Sequence, residues 1–316
     1  MILYKLENNE LQEIQTHRFD LEREIQSMVE NNCSHLFNLK FIASEFTVGE
    51  FRLDTLAYDE ESSSFVIIEY KNTQNYSVID QGYSYLSVML DRRSDFILKY
   101  NEVTNSTLRS ADIDWTQSKV IFISPSFNKY QINSINYRDV PFELYEIKKF
   151  QNDIVGIQQI KGTSNNKIEI FADADNEIQS VANEIRVYTE TQHVQKTNAH
   201  CQQLWEKIKE YFLNLGDTSI NAKQHYVSIK RNTRAVCFTH FNQTNLRINV
   251  LMGYQYADGS RRQGFFEIND PLQLGEVKEY ASQNGEVTFE YSFYPENEEN
   301  FDYMIAMLKQ KYDALA

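Results

Sequence analysis

The sequence predicts an α/β domain, with a mixed central sheet flanked by helices, over residues 1–160, and a smaller α+β domain over residues 198–316. Three observations predict this. The first half reads as helix, three strands, helix, strand, an order that builds a layered α/β sheet. A polar, acidic stretch, Gly162–Lys196, follows and reads as a connecting region over 161–197. Beyond it, one amphipathic helix precedes several short strands and a closing helix, the pattern of an α+β unit. A chain of 316 residues accommodates two domains of roughly 100–200 residues each.

The elements follow in order. Asp20 is placed to cap a helix over Leu21–Asn31, with Leu21, Ile25, Met28 and Val29 as its apolar stripe. Leu39–Phe46 is apolar and reads as a strand. Gly49 permits a tight turn into Phe51–Tyr58, where Arg52, Asp54, Leu56 and Tyr58 share one face. Asp59–Ser64 is a polar hairpin turn, and Phe65–Lys71 is a strongly apolar strand. Ser77–Leu90 is helical by pattern, with Ile79, Tyr83, Leu86 and Leu90 on one stripe. Lys119–Ser124 is a buried strand stopped by Pro125, and Phe142–Ile147 is a further strand. A helix near Val181–Tyr188 interrupts the connecting region. In the second half, Cys201–Leu215 turns Leu204, Trp205, Ile208, Tyr211 and Phe212 inward. Strands follow over Tyr226–Lys230, Ala235–His240, Leu246–Met252 and Glu286–Tyr294, and Glu296–Leu315 closes as a helix. No internal repeat is visible.

Composition excludes several classes. Hydrophobic residues make up 41% and aromatics 13%, enough for a sizeable core, so wholesale disorder is excluded. Mean hydropathy is −0.54, and no apolar run approaches the roughly 18 residues of a membrane helix, so no membrane association is expected. The start lacks a basic segment followed by an apolar one, so no signal peptide is expected. Cys33, Cys201 and Cys237 are odd in number and lack CxxC spacing, which fits a reducing, cytoplasmic setting. No phosphate-loop or GxGxxG pattern is present, against ATP-driven work. His193 and His200 lack metal-binding spacing, and the acids Asp173, Asp175 and Glu177 lack the glycine of a calcium loop.

Net charge is −14, unevenly spread. Residues 1–195 carry 18 Lys+Arg against 30 Asp+Glu, and residues 263–316 carry 3 against 11; only residues 196–262 are basic, with 10 against 4. Lys230, Arg231, Arg234 and Arg247 in that stretch read either as a solvated face or as a phosphate-contacting surface. The aromatics Tyr226, Phe238, Phe241 and Tyr254 around them read as core, with base stacking as the alternative.

One constellation carries chemistry. Glu69 sits inside the apolar run Phe65–Lys71, where a carboxylate is costly unless paired or metal-bound. Lys71 projects from the same face of that strand. A hairpin brings the strand of Asp54 beside it, so both carboxylates converge on one place with an amine alongside. Two carboxylates suit a hard divalent cation, Mg²⁺ or Mn²⁺, and a cation with a nearby lysine suits phosphodiester hydrolysis. The alternative is an ordinary Glu–Lys pair with Asp54 a chance neighbour.

These residues resemble a known motif. Asp54 followed by Glu69-Tyr70-Lys71 is similar to the active site of the PD-(D/E)XK nuclease superfamily. Leu21–Asn32 resembles the first helix of NucS-type and RecB-like nuclease domains, Gly49–Asp54 their glycine-then-Asp strand, and Asp80–Leu86 the following helix with its Gln and Tyr. The resemblance covers about residues 20–125 and implies a restriction-endonuclease-like fold. It implies Asp54, Glu69, the Tyr70 carbonyl and a first-helix acid as metal ligands, the last being Glu22 with Glu24 as fallback. It also implies Lys71, Gln81 and Tyr85 as catalytic-site residues and a restriction, repair or phage-defence role. Trp205–Asn232 resembles a small C-terminal module fused to such domains. Expected partners are nucleic acid, in particular DNA, met by Arg52 and by Lys230, Arg231, Arg234 and Arg247. A second copy of the chain and a protein bound through the C-terminal domain are further expectations. The rival expectation is a nucleic-acid-binding or protein-interaction module that keeps the fold without cutting.

Overall fold

A computed structural model describes residues 1–71, 78–135, 140–160, 176–281, 285–295 and 300–315. The chain divides into two units, Met1–Val187 and Tyr188–Ala316. That division falls within the stretch 161–197.

The first unit is a mixed α/β fold around one sheet. Its strands are β3 (Thr16–His17), β4 (Lys40–Val48), β5 (Phe51–Asp59), β6 (Ser64–Tyr70), β7 (Lys119–Ser124), β8 (Phe142–Phe150) and β9 (Val155–Ile160). They run in the order β3-β8-β7-β6-β5-β4, with β9 also paired to β8. β4, β5 and β6 form an antiparallel meander, whereas β6–β7 and β7–β8 are parallel. The parallel steps require crossovers, supplied by α3 (Val78–Asp91) and α4 (Arg93–Thr104) before β7, and by α5 (Lys129–Ser134) before β8.

Alternation along β6 assigns the layers. Phe65 and Ile67 join Tyr83, Leu86, Met89 and Phe96 of α3 and α4 in one core. Val66, Ile68 and Tyr70 join Ile25 and Val29 of α1 (Glu22–Asn31) and Cys33 and Phe37 of α2 (Cys33–Phe37) in the other. All seven residues of β6 are buried, because helices cover both faces.

Several elements differ from expectation. α1 begins at Glu22, and Leu21 is its N-cap with 66% exposure, so Leu21 leaves the apolar stripe. Asp20 does not cap; its backbone N–H donates instead to Glu24. The helix expected near Val181–Tyr188 is α6 (Asn176–Glu184), followed by α7 (Glu190–Val194) in the second unit. A hairpin of β1 (Leu3–Glu7) and β2 (Glu10–Ile14), and α4, were not expected at all. Ser77, the side chain of Ile79, Asp173, Asp175 and the side chain of Glu177 lie outside the described residues.

The second unit is one antiparallel sheet with helices against a face. β10 (Thr218–Ala222), β11 (Val227–Arg231), β12 (Arg234–Phe241), β13 (Leu246–Gln255), β14 (Gly275–Ala281) and β15 (Val287–Phe293) run in the order β10-β11-β12-β13-β15-β14. α8 (Ala199–Leu213) and α9 (Phe301–Ala314) pack Leu204, Trp205, Ile208, Met304 and Leu308 on Val227, Ile229, Ile248 and Val250. Residues 296–299 of the expected closing helix lie outside the described residues. β10 and β14, too polar to stand out, enlarge the four expected strands to six among the described residues.

Candidate active site

Strand periodicity and a broken ladder bring the acids together. Glu69 falls on the α3 face because Phe65 and Ile67 do, and Asp54 shares that face with Leu56 and Tyr58. The β5–β6 pairing runs from Asp59↔Ser64 to Thr55↔Ile68 and stops there. One step further the register sets Asp54 across from Glu69. Here the Tyr70 N–H donates to the Asp54 carboxylate, Oδ2, at 3.0 Å in place of a strand carbonyl. The side chain thus substitutes for the ladder, and the strands part where the acids face each other.

Glu69 is 4% exposed. Its Oε1 accepts from Lys71 Nζ at 2.8 Å and from Gln81 Nε2 at 2.7 Å. Its Oε2 is buried with no hydrogen-bond partner among the described residues. An orphaned carboxylate oxygen in a protein interior costs free energy, so a cationic or donor partner is expected there. Asp54 is pushed up to about 7, first by burial and then by the negative charge of Glu69, against the help of the Tyr70 N–H and the Lys71 ammonium. Burial beside the Glu69 charge thus favours the protonated form of Asp54 until further positive charge arrives.

α3 delivers the remaining residues. Gln81 and Tyr85 lie one turn apart, and Gln81 Nε2 also donates to the Tyr85 hydroxyl at 2.7 Å. Tyr85 is 7% exposed and meets Phe51 edge-on. Burial and the nearby Glu69 charge raise the Tyr85 phenol well above its ordinary range, so it stays protonated. Gly82, between them, lets α3 approach the sheet, for a Cβ there would stand 2.6 Å from the Phe142 ring.

The first-helix acids lie apart. Glu22 is exposed at the start of α1. Glu24 is tied to Lys149 of β8 at 2.7 Å. Among the described residues no group of three or more His, Cys, Asp or Glu gathers as a metal cluster, so neither acid joins Asp54 and Glu69 in one. Arg52, at the solvent end of β5, is paired with Glu45 at 2.9 Å. Glu45 escaped sequence reading. The β4–β5 register sets it across from Asp54, between the pairs Ser44↔Thr55 and Phe46↔Leu53, with φ +52°. Its charge adds to the field that raises Asp54.

In the second unit, two of the expected basic residues are already engaged with the end of the chain. Arg231 pairs with Asp217 at 2.7 Å, donates to the Tyr312 carbonyl and lies over the Tyr312 ring. Arg234 donates to the Leu315 carbonyl at 3.0 Å. Both arginines thus cap the C-terminal end of α9, where cations offset the helix dipole. Arg247 lies across from His240 in the β12–β13 register, and its Nε is buried with no hydrogen-bond partner among the described residues. Lys230 lies on β11, next to Arg231. Tyr226 packs edge-on against Phe238, which is 9% exposed.

No family model matches the chain. A protein of Haemophilus influenzae, described as an uncharacterized protein, is 36% identical over 312 residues, spanning 98% of this chain and 99% of that one. The chain belongs to its family. Among solved structures, an EndoMS–dsDNA2 complex is similar over 41% of this chain and 57% of that chain, at 15% identity and TM-score 0.25. A repair endonuclease from Pyrococcus abyssi is similar over 36% of this chain and 42% of that chain, at 16% identity and TM-score 0.20.

Proposed function

We propose that this chain is a divalent-metal-dependent endonuclease that hydrolyses phosphodiester bonds in DNA, in a restriction, repair or defence setting. The observation that carries the reading is the state of Glu69: buried, gripped at Oε1 by Lys71 and Gln81, and unpartnered at Oε2 among the described residues, beside the half-buried Asp54.

The donors fit a hard cation. Asp54 and Glu69 hold Mg²⁺ or Mn²⁺, joined by the Tyr70 carbonyl; oxygen ligands of this kind are what both ions take. Glu22, the acid that the family resemblance assigns from α1, lies exposed at the start of that helix and does not join Asp54 and Glu69. When bound, the cation acidifies a coordinated water and offsets charge on the phosphate. The protein's own groups do the rest. Lys71 spends one of its three N–H donors on Glu69 Oε1, which leaves it donors to align the attacking water and meet negative charge on the phosphate. Gln81 fixes the rotamer of Glu69 and holds Tyr85, whose hydroxyl is a neutral donor towards a phosphate oxygen. Arg52 meets the flanking backbone once a phosphate competes with Glu45 for its guanidinium. Arg247 is the better candidate for DNA contact in the second unit, since Arg231 and Arg234 cap α9.

The test is cleavage of a panel of linear, circular, single-stranded and forked DNAs plus RNA, in Mg²⁺ or Mn²⁺. EDTA and Glu69→Ala serve as controls. Metal-dependent cutting that the variant loses supports the reading and identifies the substrate. No cutting and no metal uptake overturns it. The second reading, an interaction module on a nuclease fold, is favoured by the acidity of residues 1–195 and by the engaged arginines. It predicts binding of a partner with no metal requirement.

A further inference from the structure

We infer that Glu30, Thr55 and Tyr70, joined by Gln26, form a chain of positioning residues that holds Asp54 and Glu69 from the opposite face of the sheet; this inference rests on the metal-dependent reading above. The four act through their side chains on that reverse face; only the Tyr70 backbone also meets the acids, where its N–H donates to Asp54.

The sequence itself sets up the arrangement. Thr55 follows Asp54 and Tyr70 follows Glu69, so alternation sends each neighbour to the reverse face. There the Thr55 hydroxyl lies 2.6 Å from Glu30 Oε1 and 3.0 Å from the Tyr70 hydroxyl. Proton accounting gives the direction. Thr55 has a single O–H, and the carboxylate can only accept, so Thr55 donates to Glu30 and Tyr70 donates to Thr55. Gln26 closes the chain: its Nε2 lies 3.0 Å from Glu30 Oε1 and 3.1 Å from both Ser44 Oγ and the Asp54 backbone carbonyl, its two hydrogens shared among the three acceptors. Thr55 is fully buried, Tyr70 is 1% exposed and Gln26 8%.

The location gives the chain its work. The β5–β6 ladder ends at Thr55↔Ile68, so no ladder pair spaces the strands at Asp54 and Glu69. The Tyr70–Thr55 hydrogen bond spans the gap one residue behind each acid. α1 anchors it through Glu30, and Gln26 fixes the Asp54 backbone directly. Groups that orient metal-binding side chains without touching the metal commonly change its affinity by about 10–100-fold when removed.

The experiment is a calorimetric titration of the full chain with Mn²⁺ alone. It compares wild type with Thr55→Val, Tyr70→Phe, the double variant and Thr55→Ser. Melting curves in EDTA confirm that each is folded at the titration temperature. The expected result is a dissociation constant raised about tenfold by Thr55→Val and by Tyr70→Phe. The double variant should lose no more than either single, since both break the same link. Thr55→Ser, which keeps the hydroxyl, should bind as wild type. Should Thr55→Val not fold, Tyr70→Phe carries the comparison. Variants that melt earlier yet bind Mn²⁺ as wild type would overturn the inference and leave the metal site standing. A wild type that takes up no Mn²⁺ would overturn the metal reading, and the inference with it.

Discussion

At the scale of single residues, the site is a problem of unpaired charge. Glu69 has one oxygen satisfied twice and the other not at all, while Asp54 is held part-protonated by burial and by its neighbour. Removing the carboxylate at Glu69 while keeping its shape separates charge from packing. Glu69→Gln should keep the fold and lower cleavage by about 10³-fold, several kcal/mol of transition-state stabilisation. Single-turnover kinetics checks this. The Asp54 carboxyl also gives a signed pH prediction. Its folded value, about 7, exceeds the ordinary 3.8, so the folded state binds the proton more tightly. Its contribution to stability is full below about pH 4 and is lost as pH rises through about 7. Melting temperature in EDTA should therefore carry a downward component over that window, and Asp54→Asn should remove it. A melt series of both proteins across pH 4–8 decides.

At the scale of elements, the site depends on how closely α3 meets the sheet. Gly82→Ala gains helix propensity, but the new methyl would meet the Phe142 ring at 2.6 Å. Shifting that ring, itself edge-on to Tyr83, should cost about 1–3 kcal/mol net and displace Gln81. Urea denaturation with Mn²⁺ binding on the same samples measures both effects. The elements that carry the acids were legible in the sequence because their apolar runs are strong. Phe65–Lys71 and Lys119–Ser124 appear almost as read, and so does the stripe of Tyr83, Leu86 and Leu90. What escaped were elements whose burial is decided elsewhere. α4 buries only Phe96 and Tyr100, too few for a stripe. β1 and β2 expose Tyr4, Leu6 and Leu11, so no half-buried alternation marks them. Within the site, Asp54, Glu69 and Lys71 were legible from strand spacing, and Gln81 and Tyr85 only from the family resemblance. Glu30 and Glu45 were not, because each reaches its place through strand register or across the sheet.

For the whole molecule, charge is the organising quantity. The unit that bears the paired acids lies in the strongly negative part of the chain, and the basic stretch lies in the other unit. Part of that basic stretch has a structural task. Arg231→Ala should lower the melting temperature by loosening α9 from Asp217 and β11, while leaving the salt dependence of DNA binding unchanged. Arg247→Ala should do the reverse, reducing the slope of log affinity against log salt by about one phosphate contact. Fluorescence anisotropy of a labelled duplex across a salt series, beside thermal melts, tells the two arginines apart.

The central claim is that Asp54 and Glu69 together take up a divalent cation, and a Mn²⁺ titration of wild type against Glu69→Gln tests it most directly. Wild type should bind saturably, with protons released near pH 6.5 as Asp54 ionises, and Glu69→Gln should lose the binding. A wild type that takes up no Mn²⁺, or a variant that binds it as tightly, would contradict the account.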